Sequence, residues 1–398
     1  MGVKQIIAGS TLTITLFSTC FAHLSAPDTI YEKIKIRIFS EKEISTFFFT
    51  AVSCSYSIII YPGSTEELNK GETAVVVLYN GRLAVKRPGS KALMADSLLF
   101  SGNDGENSVF IPETGTTGQK AGRYKGDLLC YPDIGGTVLI NSSPFEEYIA
   151  GVVKAEGGNG KREEYFRTQA VIARTYTYRY LGKHLSDGYN LCDGTHCQVY
   201  NGITGDTLIL NAVSHTRGRV IVTPDSTLII SAFHSNCGGQ TSPSEYVWLT
   251  SQPYLAGVKD PWCTASKNAA WEKKISINDW KKALIQNGFT ENGEDASHFV
   301  FSQPSRTMYY KTGQFIIPFN TLRISLGLRS AWFSVSDLGA DSLLLKGKGY
   351  GHGVGLCQEG AMVMAEKGFN YEDIIKFYYP GVELINIVWA KKVVELKK

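Results

Sequence analysis

The chain has 398 residues, 43% of them hydrophobic and 19% charged, with a formal net charge of +3 at neutral pH. That length can bury a substantial core in one to three domains, and the lack of long polar or charged tracts excludes a disordered protein. So small a charge gives no footing for a nucleic-acid partner, and the 12% aromatic content serves a core or a flat binding surface equally well.

At the amino terminus Lys4 precedes an apolar run over residues 6–17, followed by Cys20, Phe21 and Ala22. A cationic start, a short apolar stretch and a small residue before a cut after Ala22 make an export signal of residues 1–22. The run is too short to span a bilayer comfortably, which excludes a multi-pass membrane protein. Cleavage after Ala22 and lipid attachment at Cys20 both stay open. The expected location is therefore the periplasm or cell envelope, with membrane contact only through the signal or a lipid anchor.

From residue 31 to 140, short apolar runs alternate with turn signals. Strands are expected near 34–38, 57–61, 74–79 and 136–140, with Pro62-Gly63 and Asn80-Gly81 as turns. A helix is expected from Ser143, with Ser143 as N-cap, Pro144 in the first turn, and Glu146 and Glu147 against the positive helix end. Gly157-Gly158 ends that helix. A second helix spans 163–181, strands return at 219–222 and 228–233, a short helix lies at 279–286, a strand pair at 309–317 and a closing helix at 371–377. The mixture lacks a steady βαβ alternation, which predicts an α+β fold with a β-rich part over 31–140 and a mixed helix/strand core over 141–390.

Glu156 lies three and four residues after Val153 and Val152, on the apolar face of the first helix and in its last turn. Burial and the helix dipole would both raise its pKa, as a proton donor near neutral pH requires. The competing reading is a carboxylate pointing to solvent at a frayed helix end, and spacing alone favours that.

The run Cys192-Asp193-Gly194-Thr195-His196-Cys197 sets three metal-ligand types within six residues, and His184 stands eight residues upstream of Cys192. Two thiolates and two imidazoles make a closed tetrahedral zinc site. Against this, an exported chain favours disulfides, here between Cys192 and Cys197 or from either to Cys237 or Cys263. Without Cys20 seven of the eight cysteines remain, so at least one is unpaired or bound to something else. The crowding of His196 against Cys197 tilts the reading toward metal.

The glycine-rich stretch 346–355 has neither Rossmann nor P-loop spacing. Its glycines either let the backbone approach a bulky ligand and present His352, or serve tight turns that need positive φ. Ser235-Asn236-Cys237-Gly238-Gly239 reads likewise as a polar loop lining a groove or as a turn.

Together these segments resemble the stage II sporulation protein D family and its amidase-enhancer relatives, over roughly residues 130–390. The resemblance is carried by residues 146–153 leading to Ala155-Glu156, Gln169-Ala170-Val171 with Ala173-Arg174-Thr175-Tyr176, and 192–200. Gly238-Gly239-Gln240-Thr241, Pro253-Tyr254-Leu255, Gly327-Leu328-Arg329-Ser330, 349–361 and Tyr378-Tyr379-Pro380-Gly381 continue it. It departs at Gly157-Gly158-Asn159-Gly160, where Met-Pro is usual, and at Cys357, where Ser is usual.

The resemblance implies a lytic transglycosylase acting on the MurNAc–GlcNAc bond of peptidoglycan, with Glu156 at the catalytic glutamate position. His352 on the glycine-rich stretch is the second expected catalytic residue, lining the groove to hydrogen-bond the glycan or to orient Glu156. The resemblance also implies a zinc held by His184, Cys192, His196 and Cys197. Arg174, Tyr176, Tyr350 and Gln358 in the matched segments, and Ser235 of the polar loop, are the expected substrate-binding residues. In such an enzyme one carboxylate suffices. It protonates the glycosidic oxygen, then takes the proton of the MurNAc C6 hydroxyl as a 1,6-anhydro ring closes. A hydrolase would need a second carboxylate at roughly 5–9.5 Å, and Glu163 and Glu164 read as a solvated helix start. The rival reading is a wall-binding protein without catalysis that stimulates a cell-wall amidase.

Overall fold

Alternation in Lys33–Ile38 buries Ile34, Ile36 and Ile38 on one face, and the same period in Thr46–Ala51 buries Phe47, Phe49 and Ala51. The structure, a computed structural model, describes residues 32–114, 122–290, 293 and 295–387. The expected export signal at 1–22 lies outside the described residues.

Two sheets build the amino-terminal part. One has seven strands in the spatial order Leu191–Cys192, Lys33–Ile38, Gly136–Pro144, Asp127–Asp133, Ser97–Gly102, Tyr56–Tyr61 and Ser64–Leu68. The other has six, in the order Tyr124–Lys125, Val109–Glu113, Thr46–Ala51, Thr73–Tyr79, Arg82–Lys86 and Leu93–Ala95. They pack through Phe49, whose ring stacks on Phe100 of the other sheet at 4.1 Å and on Phe110 of its own sheet at 4.9 Å. Asn80 and Gly81 both take positive φ in the tight turn between Thr73–Tyr79 and Arg82–Lys86, as the sequence predicts.

The strand Gly136–Pro144 runs straight into the helix Phe145–Glu156. Ser143 is therefore a strand residue and Pro144 the cap, one step later than predicted. The ladder with Lys33–Ile38 continues to the pairs Ile34 with Ser143 and Lys33 with Pro144, which postpones the helix. The second helix, Glu163–Tyr180, has most of its circumference buried. It touches the first helix, Thr207–His215, Gln358–Glu366 and Tyr371–Tyr378, so it is the central rod of the fold.

The strand predicted at 228–233 shrinks to a bridge from Leu228 to Val222 and a two-residue strand, Phe233–His234, paired in parallel with Leu356–Cys357. Residues 230–233 also line a cavity, and only Phe233 of them belongs to the paired strand. The region 141–390 also carries two apolar clusters. The second is built by the three-stranded sheet Ala270–Ser276, Ser342–Lys348 and Phe333–Gly339 with the helices Ile277–Ile285 and Phe319–Ser325, around the fully buried Trp280. The arrangement is α+β, as expected.

Candidate active site

The first helix buries Tyr148, Ile149, Val152 and Val153, and Glu156 is its last residue. Gly157 closes the helix, donating its N–H to the Val153 carbonyl at 2.8 Å, and Gly158 turns the chain at φ 63°. A helix-end carbonyl needs an outside partner, and the Glu156 carbonyl accepts one from Gln358 Nε2 at 2.7 Å. The side chain is half-buried, and its Oε1 accepts the Val199 N–H at 2.8 Å. Burial raises the Glu156 pKa above the ordinary carboxylate value, and the Val199 hydrogen bond offsets only part of that rise.

Glu156 opens onto a cavity of about 670 Å³ walled by Tyr176, Tyr180, Phe233, Trp248 and His352. Among the described residues lining it, Glu156 is the only carboxylate. The Tyr176 and Tyr180 rings lie 4.5 Å apart, and Trp248, 41% exposed, sits 5.8 Å from the His352 ring. Flat aromatic faces around one desolvated acid suit a ligand with apolar ring faces and a bond to protonate.

His352 does line this cavity. Its Nδ1 accepts the Val354 N–H at 3.0 Å, so that nitrogen carries no proton. Burial, followed by the charges of Arg323 and Arg306, pushes its pKa down to about 4, although a hydrogen bond to the Phe233 backbone pulls the other way. The ring is neutral at pH 7 and serves as a wall and donor rather than a proton shuttle. The glycines that precede and follow it approach the protein's own chain. A Cβ on Gly355, at φ 72°, would lie 2.1 Å from the Ala232 carbonyl, and one on Gly349, at φ 82°, 2.6 Å from that of Asn236. Gly349, Gly351 and Gly355 thus let the stretch pack against 232–238, while a Cβ on Gly347 would meet the Trp271 ring and one on Gly353 the Arg306 guanidinium.

The other expected substrate-binding residues divide. Tyr176 lines the cavity. Arg174 is a correction: its side chain is fully buried and grips Glu146 through Nη2 at 2.6 Å and Nε at 3.1 Å. It also donates to the carbonyls of Arg219 and Val213, so every nitrogen is committed to the fold. Ser235 is absent from the cavity lining, and its hydroxyl accepts from Asn268 Nδ2 at 3.5 Å. Tyr350 lies outside the cavity lining, exposed and stacked under Arg329. Gln358 does not line the cavity but tethers the Glu156 backbone. Sequence reasoning missed Tyr180, four residues beyond Tyr176 on the same helical face, where that spacing was the available signal. It also missed Trp248 and the Val199 N–H, for which local sequence gives no cue. Glu163 and Glu164 pair with Arg167 away from the cavity.

The metal candidates come together. The donor atoms of His184, Cys192, His196 and Cys197 all lie within 4.8 Å of one another. Cys197 Sγ is 3.5 Å from His184 Nε2 and 3.9 Å from His196 Nδ1, and Cys192 Sγ is 3.7 Å from His196 Nδ1. Zinc–sulfur and zinc–nitrogen bonds of about 2.3 and 2.0 Å at the tetrahedral angle set such edges near 3.6 Å, so the donor set fits. Asp187 Oδ2, 3.3 Å from His184 Nδ1, holds that imidazole in orientation. The same loop is latched to the amino-terminal sheet, since Asp193 accepts from the Ser40 N–H at 3.0 Å and the Ser40 hydroxyl at 2.6 Å. Two residues past Cys197 comes Val199, whose N–H holds Glu156.

Residues 133–222 match the family model described as stage II sporulation protein. Over 266 residues the chain is 31% identical to a stage II sporulation protein D of Bacillus amyloliquefaciens, covering 62% of this chain and 75% of that protein. The corresponding protein of Bacillus subtilis is 30% identical over 64% of this chain and 79% of its own length. The chain belongs to the stage II sporulation protein D family. The matched segment holds Glu156 and the whole histidine–cysteine loop, whereas His352 and Gln358 of this family member come from beyond it. An amidase enhancer of Bacillus subtilis is 30% identical over 59% of this chain and 40% of its own length.

Proposed function

We propose that the protein is a peptidoglycan lytic transglycosylase. One observation carries the reading: Glu156, whose pKa burial raises above the ordinary carboxylate value, is the only carboxylate among the described residues lining an aromatic-walled cavity. In the proposed reaction the Glu156 carboxylic acid gives its proton to the glycosidic oxygen between MurNAc and GlcNAc. The C1–O bond breaks, and the GlcNAc side leaves with a hydroxyl. The Glu156 carboxylate then takes the proton of the MurNAc C6 hydroxyl while O6 bonds to C1. The 1,6-anhydro ring closes and the acid is restored, with no water consumed. Tyr176, Tyr180 and Trp248 would hold sugar faces, and the neutral His352 would hydrogen-bond the glycan.

The hydrolytic alternative needs a second carboxylate opposite the first at roughly 5–9.5 Å, and the described lining offers none. We further propose one structural zinc on His184, Cys192, His196 and Cys197. Four protein ligands leave no open position for a reacting water. The ion would stiffen the loop that delivers the Val199 N–H to Glu156. Export to the cell envelope follows from the reading of residues 1–22.

The amidase-enhancer relative supports a second reading, in which the aromatic cavity binds glycan without cutting it and the partner is an amidase. Product analysis separates the two. Purified glycan incubated with this protein alone should yield fragments ending in 1,6-anhydroMurNAc. Reducing-end MurNAc would point to a hydrolase, and intact glycan with stimulation of an added amidase would point to the binder.

A further inference from the structure

A second cluster of ligand-type side chains lies on the other side of the Phe233–His234 strand. Cys237, Asp260, Cys263 and Cys357 bring their donor atoms within 4.8 Å of one another, and all four residues are 0% exposed. They come from three distant segments: the loop after Phe233–His234, the turn at 260–263, and the end of the strand Leu356–Cys357. The parallel pairing of Phe233 with Leu356 and His234 with Cys357 brings the first and third together.

Cys237 Sγ stands 3.3 Å from Cys263 Sγ and 3.1 Å from Asp260 Oδ2, and Cys357 Sγ accepts the Cys237 N–H at 3.3 Å. Asp260 is itself held in place, its Oδ2 by the Tyr378 hydroxyl at 2.9 Å and its Oδ1 by the Trp262 N–H at 2.9 Å. Among the described residues no lysine or arginine forms an ion pair with this fully buried carboxylate. The nearby Arg306 directs Nη2 to the Cys237 carbonyl and Nε to that of Gln240. A buried carboxylate beside three buried thiols is costly unless a cation joins them.

We propose that Cys237, Cys263, Cys357 and Asp260 form a second, structural zinc site, independent of both the glycan-cleavage reading and the first metal loop. Three thiolates select a thiophilic divalent ion, and the carboxylate completes a tetrahedron. The observed sulfur–sulfur and sulfur–oxygen separations fall about half an ångström below the edges zinc would set, near 3.8 and 3.5 Å, so the group opens slightly on binding. Hydrogen bonds onto Asp260 and Cys357 are those expected around metal ligands. A disulfide between Cys237 and Cys263 would leave Cys357 and Asp260 buried together, with no lysine or arginine among the described residues ion-paired to the carboxylate. Cys357 caps the helix Gln358–Glu366, whose first residue tethers Glu156, so the ion would set the seat of the cavity from behind.

The test is zinc content by elemental analysis of the full chain, purified without added metal or chelator, alongside alkylation of the denatured, unreduced protein and peptide mapping. Cys192→Ser/Cys197→Ser should retain one equivalent of zinc, and adding Cys357→Ser should remove it. In the unmodified chain Cys237, Cys263 and Cys357 should all alkylate, a result that does not depend on any variant folding. Cobalt loaded into the Cys192→Ser/Cys197→Ser protein should show thiolate-to-cobalt charge-transfer absorption. A Cys237–Cys263 disulfide peptide overturns the site. So does a Cys192→Ser/Cys197→Ser protein that folds without zinc and takes up no cobalt. If the first loop binds no metal, the unmodified chain holds one equivalent that only Cys357→Ser removes.

Discussion

Replacing Arg174 with methionine tests whether this residue belongs to the fold or to the substrate. The guanidinium is fully buried, makes a two-point contact with Glu146 and donates to the carbonyls of Arg219 and Val213. Methionine keeps much of the apolar stem but leaves one carboxylate and two carbonyls without their donor. Breaking a buried ion pair from one side costs about 3–5 kcal/mol. The Glu146 side chain is 27% exposed and recovers some water, which places the expected loss near the lower end, at ~3 kcal/mol. Urea unfolding followed by tryptophan fluorescence reads this directly, and glycan binding per folded molecule should be unchanged. Glu146→Met added to Arg174→Met should recover part of the loss, because the stranded charge is gone. A stability loss below about 1 kcal/mol combined with weakened glycan binding would refute the reasoning and return Arg174 to the substrate site.

Burial raises the Glu156 pKa, so the folded state resists ionisation more than the unfolded chain does. Stability should therefore fall as pH rises from the unfolded carboxylate value of about 4.3 through the higher folded value. Glu156→Gln should melt above the native protein at pH 7 and lose that advantage below about pH 4; equal melting temperatures at both pH values would contradict the desolvated acid. Cys197→Ser should abolish zinc binding at the first loop and lower turnover, since the loop supplies the Val199 N–H to Glu156. Full turnover in a zinc-free Cys197→Ser protein would disconnect the loop from catalysis. His352→Ala should raise KM without moving the pH profile, because the imidazole is already neutral with a pKa near 4, and a shifted limb between pH 5 and 8 would make it a titrating catalyst. Gln358→Leu frees the Glu156 carbonyl and should reduce kcat more than it raises KM, which steady-state kinetics on soluble glycan would check.

What was legible in the sequence followed local rules. Two-residue alternation marked the strands around Ile36 and Val76, Asn80-Gly81 marked a hairpin, and Gly157-Gly158 marked the helix end beside Glu156. The histidine–cysteine loop was legible because all four donors lie within fourteen positions, and short loops close easily. Residues whose role depends on distant chain were misread. Arg174 sits in a matched motif, yet what it touches is decided by a carboxylate 28 positions away and carbonyls 39 and 45 positions away. Tyr350 and Ser235 each stand two positions from a cavity residue, His352 and Phe233, yet their side chains meet Arg329 and Asn268, contacts set by distant chain. The shortened strand near 228–233 reflects competition no local pattern records, since its residues face a cavity. The Cys237, Asp260, Cys263 and Cys357 cluster was illegible for the same reason, since a two-residue parallel pairing brings together Cys237 and Cys357, 120 positions apart.

The most direct measurement is the release of 1,6-anhydro-muropeptides from purified peptidoglycan by the native protein and by Glu156→Gln at matched concentration. Glutamine keeps the volume and can still accept the Val199 N–H, but it has no proton to give at pH 7. The account predicts that the native protein releases anhydro-ended fragments. Glu156→Gln should release at least a hundredfold fewer while binding glycan equally and melting no lower than the native chain. Anhydro products from Glu156→Gln at a rate near that of the native protein would contradict the assignment of Glu156 as the proton donor.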